Sequence, residues 1–251
     1  MNQYNKKRGF TLIELMLSMT FVTILLLTIA LTVIRIGTLY NSGMTLKAVN
    51  QSSRDIADDL RRSVAAANSF EVPTGGADTN QFIYVRSGSV IMGGRLCLGS
   101  YSYVWNTGKG IELPTNPSVA HYLGASTGDT SIVRLAKVTA AGMRYCEKNP
   151  DGSIKAIDIT ASDALVSSEL LPEGDRNIAV QSLAVTSDSR GYDGATGQRL
   201  YRFEYTLGAG PTSSMNETQT GCLPPDHPDS NITYCNVQQF KITLRNGSTV
   251  N

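Results

Sequence analysis

The stretch Lys6-Lys7-Arg8-Gly9-Phe10-Thr11-Leu12-Ile13-Glu14-Leu15-Met16 runs straight into an apolar segment that lasts to Ile36. From Leu15 to Ile34 there are twenty residues with no charge, glycine or proline, long enough as a helix to span a bilayer. A secretory signal peptide has a shorter apolar region followed by a small-residue cleavage site, and none follows here. By the positive-inside rule Lys6, Lys7 and Arg8 stay on the cytoplasmic side, so the rest of the chain is exported. Arg35 closes the segment, with a side chain long enough to snorkel to the opposite interface. Glu14 is the anomaly. A carboxylate within a membrane helix costs about 2.5–3.5 kcal/mol on insertion scales, and such residues are usually functional. A cationic partner from another chain would offset that cost; hydration at the membrane face is the alternative.

The order of basic residues, glycine, apolar start and acidic fifth residue resembles the class III signal of type IV pilins and type II secretion pseudopilins. The resemblance implies that residues 1–9 are a leader, cut by a prepilin peptidase between Gly9 and Phe10, and that Phe10 becomes an N-methylated terminus. It implies that Glu14 meets the Phe10 amine of a neighbouring subunit and fixes the axial register. The implied partners are other pilins through the helix, the peptidase, an assembly platform protein, and the membrane before assembly. The implied location is the cytoplasmic membrane, N-terminus inside, and then an extracellular filament. The motif covers only the start of the chain.

The helix has no reason to stop at the membrane, because proline is absent until Pro73. Val49, Ile56, Leu60, Val64 and Ala67 form one apolar stripe at helical spacing. Arg54, Asp55, Asp58, Asp59, Arg61 and Arg62 are read as the solvated face, with Arg54–Asp58 and Asp58–Arg62 as i,i+4 pairs. Residues 10–68 are therefore expected to form one helix, its part 10–36 crossing the membrane, with soft points at Gly37 and Gly43. Most type IV pilins have a proline in the first half of this helix, and here there is none. That departure points towards a pseudopilin or minor pilin.

After Pro73-Thr74-Gly75-Gly76 the pattern changes to short strands, expected at Gln81–Arg86, Ser89–Met92, Tyr101–Trp105, Ser131–Thr139, Ser153–Thr160, Ile178–Ser187, Arg199–Leu207 and Val237–Arg245. A short helix is expected at Ser162–Leu171. One long helix followed by strands on its apolar stripe is an α+β class. This agrees with the pilin-like architecture implied by the resemblance, a helix packed on an antiparallel sheet in a head of residues 69–251.

Cys97, Cys146, Cys222 and Cys235 all lie in the exported part, where an even set argues for disulfides in any of three connectivities. The resemblance favours Cys222 with Cys235, closing a C-terminal loop, which leaves Cys97 with Cys146. A zinc site using these cysteines with His121 or His227 is opposed by the lack of any C-x-x-C spacing. Asp188 and Asp193 are candidate calcium ligands in a glycine-rich loop that lacks the full acidic pattern; a plain hairpin loop is the simpler reading. Gly124-Ala-Ser126-Thr-Gly128 matches G-x-S-x-G without the strand–turn–helix context of a nucleophile elbow. Asn216, Asn231 and Asn246 begin glycosylation triplets, and Tyr101, Tyr103 and Trp105 read as core rather than as a stacking platform.

A net charge of +1 over 251 residues gives no electrostatic case for nucleic acid. No phosphate-binding loop or cofactor motif is present. The reading is a non-enzymatic filament subunit. Its size and the helix Ser53-Arg-Asp-Ile-Ala-Asp-Asp-Leu-Arg-Arg62 make it most like the larger minor pilins of the W and J type, which act in initiating assembly or near the tip. The alternatives are a major pilin and a pilus-associated adhesin or DNA-uptake subunit.

Overall fold

The computed structural model describes residues 11–73, 77–113, 115–116, 119–123, 130–152, 154–155, 158–160, 163, 167–171, 174, 176–187 and 191–247. Helix α1, Leu12–Ala65, is continuous over 54 residues, about 80 Å at 1.5 Å per residue. Thr11 caps its start from an extended conformation, its hydroxyl accepting the Glu14 N–H at 3.3 Å. Ala66 closes it, donating its N–H to the Arg62 carbonyl, and the Ala67 N–H donates to Val64. Gly37 and Gly43 sit inside it without a break.

The head is built on three sheets. Strands β1 (Phe82–Ser87), β2 (Val90–Cys97), β3 (Gly99–Asn106), β6 (Leu135–Gly142) and β8 (Ser167–Glu169) form an antiparallel sheet in that order. β9 (Ala179–Ser187), β10 (Leu200–Ala209) and β11 (Asn236–Arg245) form a second, with β10 central. β4 (His121–Leu123) pairs antiparallel with β5 (Thr130–Ile132) and parallel with β7 (Asp158–Ile159) in a small third sheet. A single helical turn, α2 (Gly108–Glu112), follows β3.

The apolar stripe of α1 decides how these layers meet. Val49, Ile56, Leu60, Val64 and Ala67 are buried in one cluster with Phe82, Leu96 and Trp105 of the first sheet and Tyr201, Phe203 and Leu207 of the second. The first sheet has a second core on its other face, where Ile83, Val104 and Val138 meet Ala120, Val133 and Ile159. Buried on both faces, β3 has no alternation from Ser102 to Asn106. Asn106 staples the two layers: its amide nitrogen donates to the carbonyls of Ala120 and Val133, and its oxygen accepts the Ala120 N–H.

Several sequence expectations are corrected. Of the expected helix Ser162–Leu171, Asp163 is helical but Ser167–Glu169 form strand β8. Glu169 anchors it, accepting the Leu135 N–H at 2.6 Å and the Tyr122 hydroxyl at 2.9 Å. Ser131–Thr139 divides into β5 and β6, because Val133 bonds Ala120 and Arg134 bonds Asn106 between them. Among the described residues of Ser153–Thr160, the strand is confined to the two residues of β7 and a bridge at Ile154. Asp59 is buried against the head instead of solvated. The ion pairs on this face are Asp58–Arg61 and Asp59–Arg62 at i,i+3 spacing.

Candidate assembly interface

The head covers only the second half of α1. Thr45 is the first residue of the helix to be buried. Nineteen large apolar side chains from Leu12 to Tyr40 are exposed, a patch far larger than a soluble monomer presents to water. One helix here is long and apolar enough to cross a membrane. From Glu14 to Arg35 the rise is about 32 Å, close to the hydrocarbon thickness of a bilayer.

The polar groups in this bare segment are almost all satisfied within the helix. Ser18, Thr20, Thr23, Thr28 and Thr32 each donate a hydroxyl to a backbone carbonyl three or four residues earlier, at 2.8–2.9 Å. Such back-bonding lets hydroxyl residues enter an apolar phase. Glu14 differs. Its carboxylate lies 3.5 Å from the Thr11 hydroxyl, in the first turn, where the helix dipole favours negative charge. Thr11-Leu-Ile-Glu14 is a Thr-x-x-Glu sequence of the kind that begins helices. Sequence reading passed over Thr11, although that spacing could have found it. Glu14 heads a face shared with Leu17, Ser18, Phe21 and Ile24, which together line a shallow groove on the helix surface. The arrangement presents one carboxylate and a continuous apolar stripe to whatever packs there.

The other half of α1 is clamped by polar bonds as well as by the core. The Tyr103 hydroxyl donates to Asp59 Oδ2 at 2.6 Å and lies 2.7 Å from Ser63 Oγ. Lys137 Nζ meets Asp59 Oδ1 at 2.9 Å. Burial, and then Asp59, push the Tyr103 phenol well above its ordinary pKa. Tyr205 donates to the Ser53 carbonyl at 3.0 Å. Tyr201 both donates to and accepts from the backbone of Phe70, with its ring stacked on the Phe70 ring at 3.9 Å. Arg176 reaches the Asn41 carbonyl and Thr45 Oγ1 at the lower end. Two sheet tyrosines, Tyr103 and Tyr205, and one loop arginine thus tie the head to the helix, and Tyr201 ties it to the segment that follows.

The remaining candidates are placed as follows. Cys97 is joined to Cys146 and Cys222 to Cys235. That removes all four from metal ligation. His121 is on β4, and His227 lies 3.9 Å from Asp229 in the Cys222–Cys235 loop. No group of three metal-ligating side chains occurs among the described residues. Asp193 accepts from the Ala195 N–H and the Thr196 hydroxyl in a tight turn, and these bonds hold its carboxyl below the ordinary range. Asn246 is buried, accepting the Arg199 N–H. Asn216 accepts the Thr220 N–H in a turn. Tyr103 and Trp105 are core, and Tyr101 is half-buried. Lys6, Lys7, Arg8, Gly9, Phe10, Ser126 and Asp188 lie outside the described residues.

Residues 4–34 match the family model of the prokaryotic N-terminal methylation motif. No curated protein and no solved structure matches the chain.

Proposed function

We infer that this chain, which carries the class III prepilin signal of type IV pilin-like proteins, is a structural subunit of a type IV pilus or a type II secretion pseudopilus. The single observation that carries this reading is the signal leading into a helix whose first half is bare and whose second half is locked to a folded head. Such a chain waits in the membrane with its head exported. The prepilin peptidase cuts between Gly9 and Phe10, and Phe10 is methylated. Glu14 then accepts the Phe10 amine of a neighbour, which offsets the cost of carrying a carboxylate into the membrane. Helix-on-helix burial of the stripe below Thr45 holds the assembled filament.

Within that class we assign a minor subunit, active in initiating assembly or near the tip. The size of the head and the absence of proline from the bare half of the helix support this. The test is quantitative mass spectrometry of filaments sheared from cells. A peptide beginning at methylated Phe10, scarce beside another pilin, is the expected result. The same peptide as the dominant species would make the chain a major subunit. Chains found only with an intact Met1 terminus, in membranes and never in filaments, would overturn the filament reading altogether.

A further inference from the structure

We propose that Asn231 is an N-glycosylation site, which takes an oligosaccharide from a polyprenyl-pyrophosphate donor while the chain is still anchored in the membrane. The exported, anchored state rests on the reading above, whereas the choice of Asn231 is argued from this chain alone. Triplets of the form Asn-x-Ser/Thr begin at Asn216, Asn231 and Asn246, and the fold treats them differently. An acceptor must lie on a surface loop, with its carboxamide nitrogen and the hydroxyl two residues later both open to the transferase. Two of the triplets are closed. Asn246 is 1% exposed; its oxygen accepts the Arg199 N–H at 2.6 Å and its nitrogen donates to the Gly247 carbonyl at 3.3 Å. Asn216 is locked in its own turn: its oxygen accepts the Thr220 N–H at 2.8 Å and its nitrogen donates to Thr220 Oγ1 at 3.1 Å. The hydroxyl of that triplet, on Thr218, is engaged as well, donating to the Asn216 oxygen at 3.2 Å.

Asn231 differs in each respect. Its backbone carbonyl accepts the Cys235 N–H at 2.8 Å and its side-chain oxygen accepts the Tyr234 N–H at 3.3 Å, which fixes the carboxamide at the head of a turn. The nitrogen end of that carboxamide has no hydrogen-bond partner among the described residues, and neither has the Thr233 hydroxyl. Ile232 between them is 57% exposed. Asp229 adds an exposed carboxylate two residues before Asn231, a charge that prokaryotic transferases of this kind read in their acceptors. Ser214 and Leu244 hold that place before the other two asparagines.

The fold also brings this loop to the donor. At one end of the β10–β11 pair Gly247 packs against the Ala65 carbonyl, at the far end of α1. At the other end Gly210 packs against the Tyr234 carbonyl and donates its N–H to the Arg176 carbonyl at 3.2 Å. The Arg176 guanidinium in turn reaches Asn41 and Thr45, about 9 and 15 Å along the helix beyond Arg35, which closes the apolar span. The loop tethered by Cys222 and Cys235 therefore lies at the membrane-proximal end of the head. A sugar carried on a polyprenyl lipid stays at the bilayer surface, so that end is the one it meets. In the transfer the Asn231 nitrogen attacks C1 of the first sugar. A carbon–nitrogen bond forms, the bond from C1 to the pyrophosphate oxygen breaks, polyprenyl pyrophosphate leaves with the electron pair, and a base of the transferase takes one amide proton.

The test is mass spectrometry of the full chain purified from the cells that make it, with electron-transfer fragmentation to place any added sugar. An oligosaccharide mass on Asn231 is expected in most molecules, with none on Asn216 or Asn246. Asn231→Gln should remove it. Thr233→Ala, which leaves the Asn231 cap in place, should remove it as completely, while Thr233→Ser should keep it. Asp229→Ala should lower its occupancy, and Asn216→Gln, the control, should leave it unchanged. An unmodified Asn231 in chains whose disulfides have formed, or sugar that persists in Asn231→Gln, would overturn the proposal and leave the filament reading standing. Chains with all four cysteines reduced and their heads in the cytoplasm would sink the filament reading and this proposal with it.

Discussion

Replacing Tyr103 by Phe isolates the bond that holds the helix to the first sheet. The ring stays in place, so the apolar packing with α1 is kept. What disappears is a hydroxyl that donates to Asp59 at 2.6 Å and lies 2.7 Å from Ser63. A hydrogen bond to a charged group contributes about 1.5–3 kcal/mol, and a buried polar group left without a partner costs about 1–3 kcal/mol. Ser63 is fully buried, but it can turn to the carbonyl four residues earlier, and Lys137 still meets Asp59 at 2.9 Å. The net loss is therefore set at about 2–4 kcal/mol. For a domain of this size that lowers Tm by about 5–15 °C. Thermal unfolding of the full chain in detergent, followed by tryptophan fluorescence, measures it. Trp105 is the only tryptophan and is buried where α1 meets the sheet. Tyr101→Phe on the same strand is the control, since its hydroxyl makes no hydrogen bond among the described residues, and it should move Tm by less than about 2 °C. If Tyr103→Phe unfolds with the control, the hydroxyl is no clamp and the argument fails.

The two disulfides should differ in worth. Closing 49 residues constrains the unfolded chain more than closing 13, so removing Cys97–Cys146 by double alanine substitution should cost about 4 kcal/mol, against about 3 for Cys222–Cys235. Denaturant titration of the two variants would expose a reversed order. Gly94→Ala drives a Cβ into the Trp105 ring and should destabilise by about 1–3 kcal/mol; a crystal structure with Trp105 unmoved and stability unchanged would contradict it. Burial raises the Asp163 carboxyl, but hydrogen bonds from Arg144 and Thr160 outweigh it and leave its pKa below the ordinary value. A depressed carboxylate contributes stability above its unfolded pKa near 3.9, lost as pH falls through the lower folded value. The stability gap between wild type and Asp163→Asn should therefore be constant from about pH 7 to 5 and shrink below about pH 4. A gap that stays constant to pH 2 would refute the assignment.

What the chain reveals by itself is whatever depends on one-sided burial or on local chemistry. The twenty uncharged residues from Leu15 to Ile34 can only be a membrane-length helix, and the stripe from Val49 to Ala67 continues it because one face meets a core and the other meets water. β10 and β11 were legible for the same reason. The strand expected at Ser89–Met92 ends short of β2, which runs on through Gly93 and Gly94 to Cys97. In the fold they are required, since a Cβ there would strike the Trp105 carbonyl or ring, and that close approach is a relation between two strands. β3 was legible at Tyr101–Trp105, but that both its faces are buried was not, since burial on both sides leaves no polar face to mark. Ser167–Glu169 carries no strand pattern, and it becomes β8 only because Glu169 finds Leu135 and Tyr122. Asp59 reads as one more charge on a solvated face until Tyr103 and Lys137 arrive from strands some forty and eighty residues away. Periodicity in a sequence records which side of an element faces water. Which partner lies on the dry side, and which carboxylate it neutralises, is set by contacts distant in sequence, and only the tertiary structure decides those.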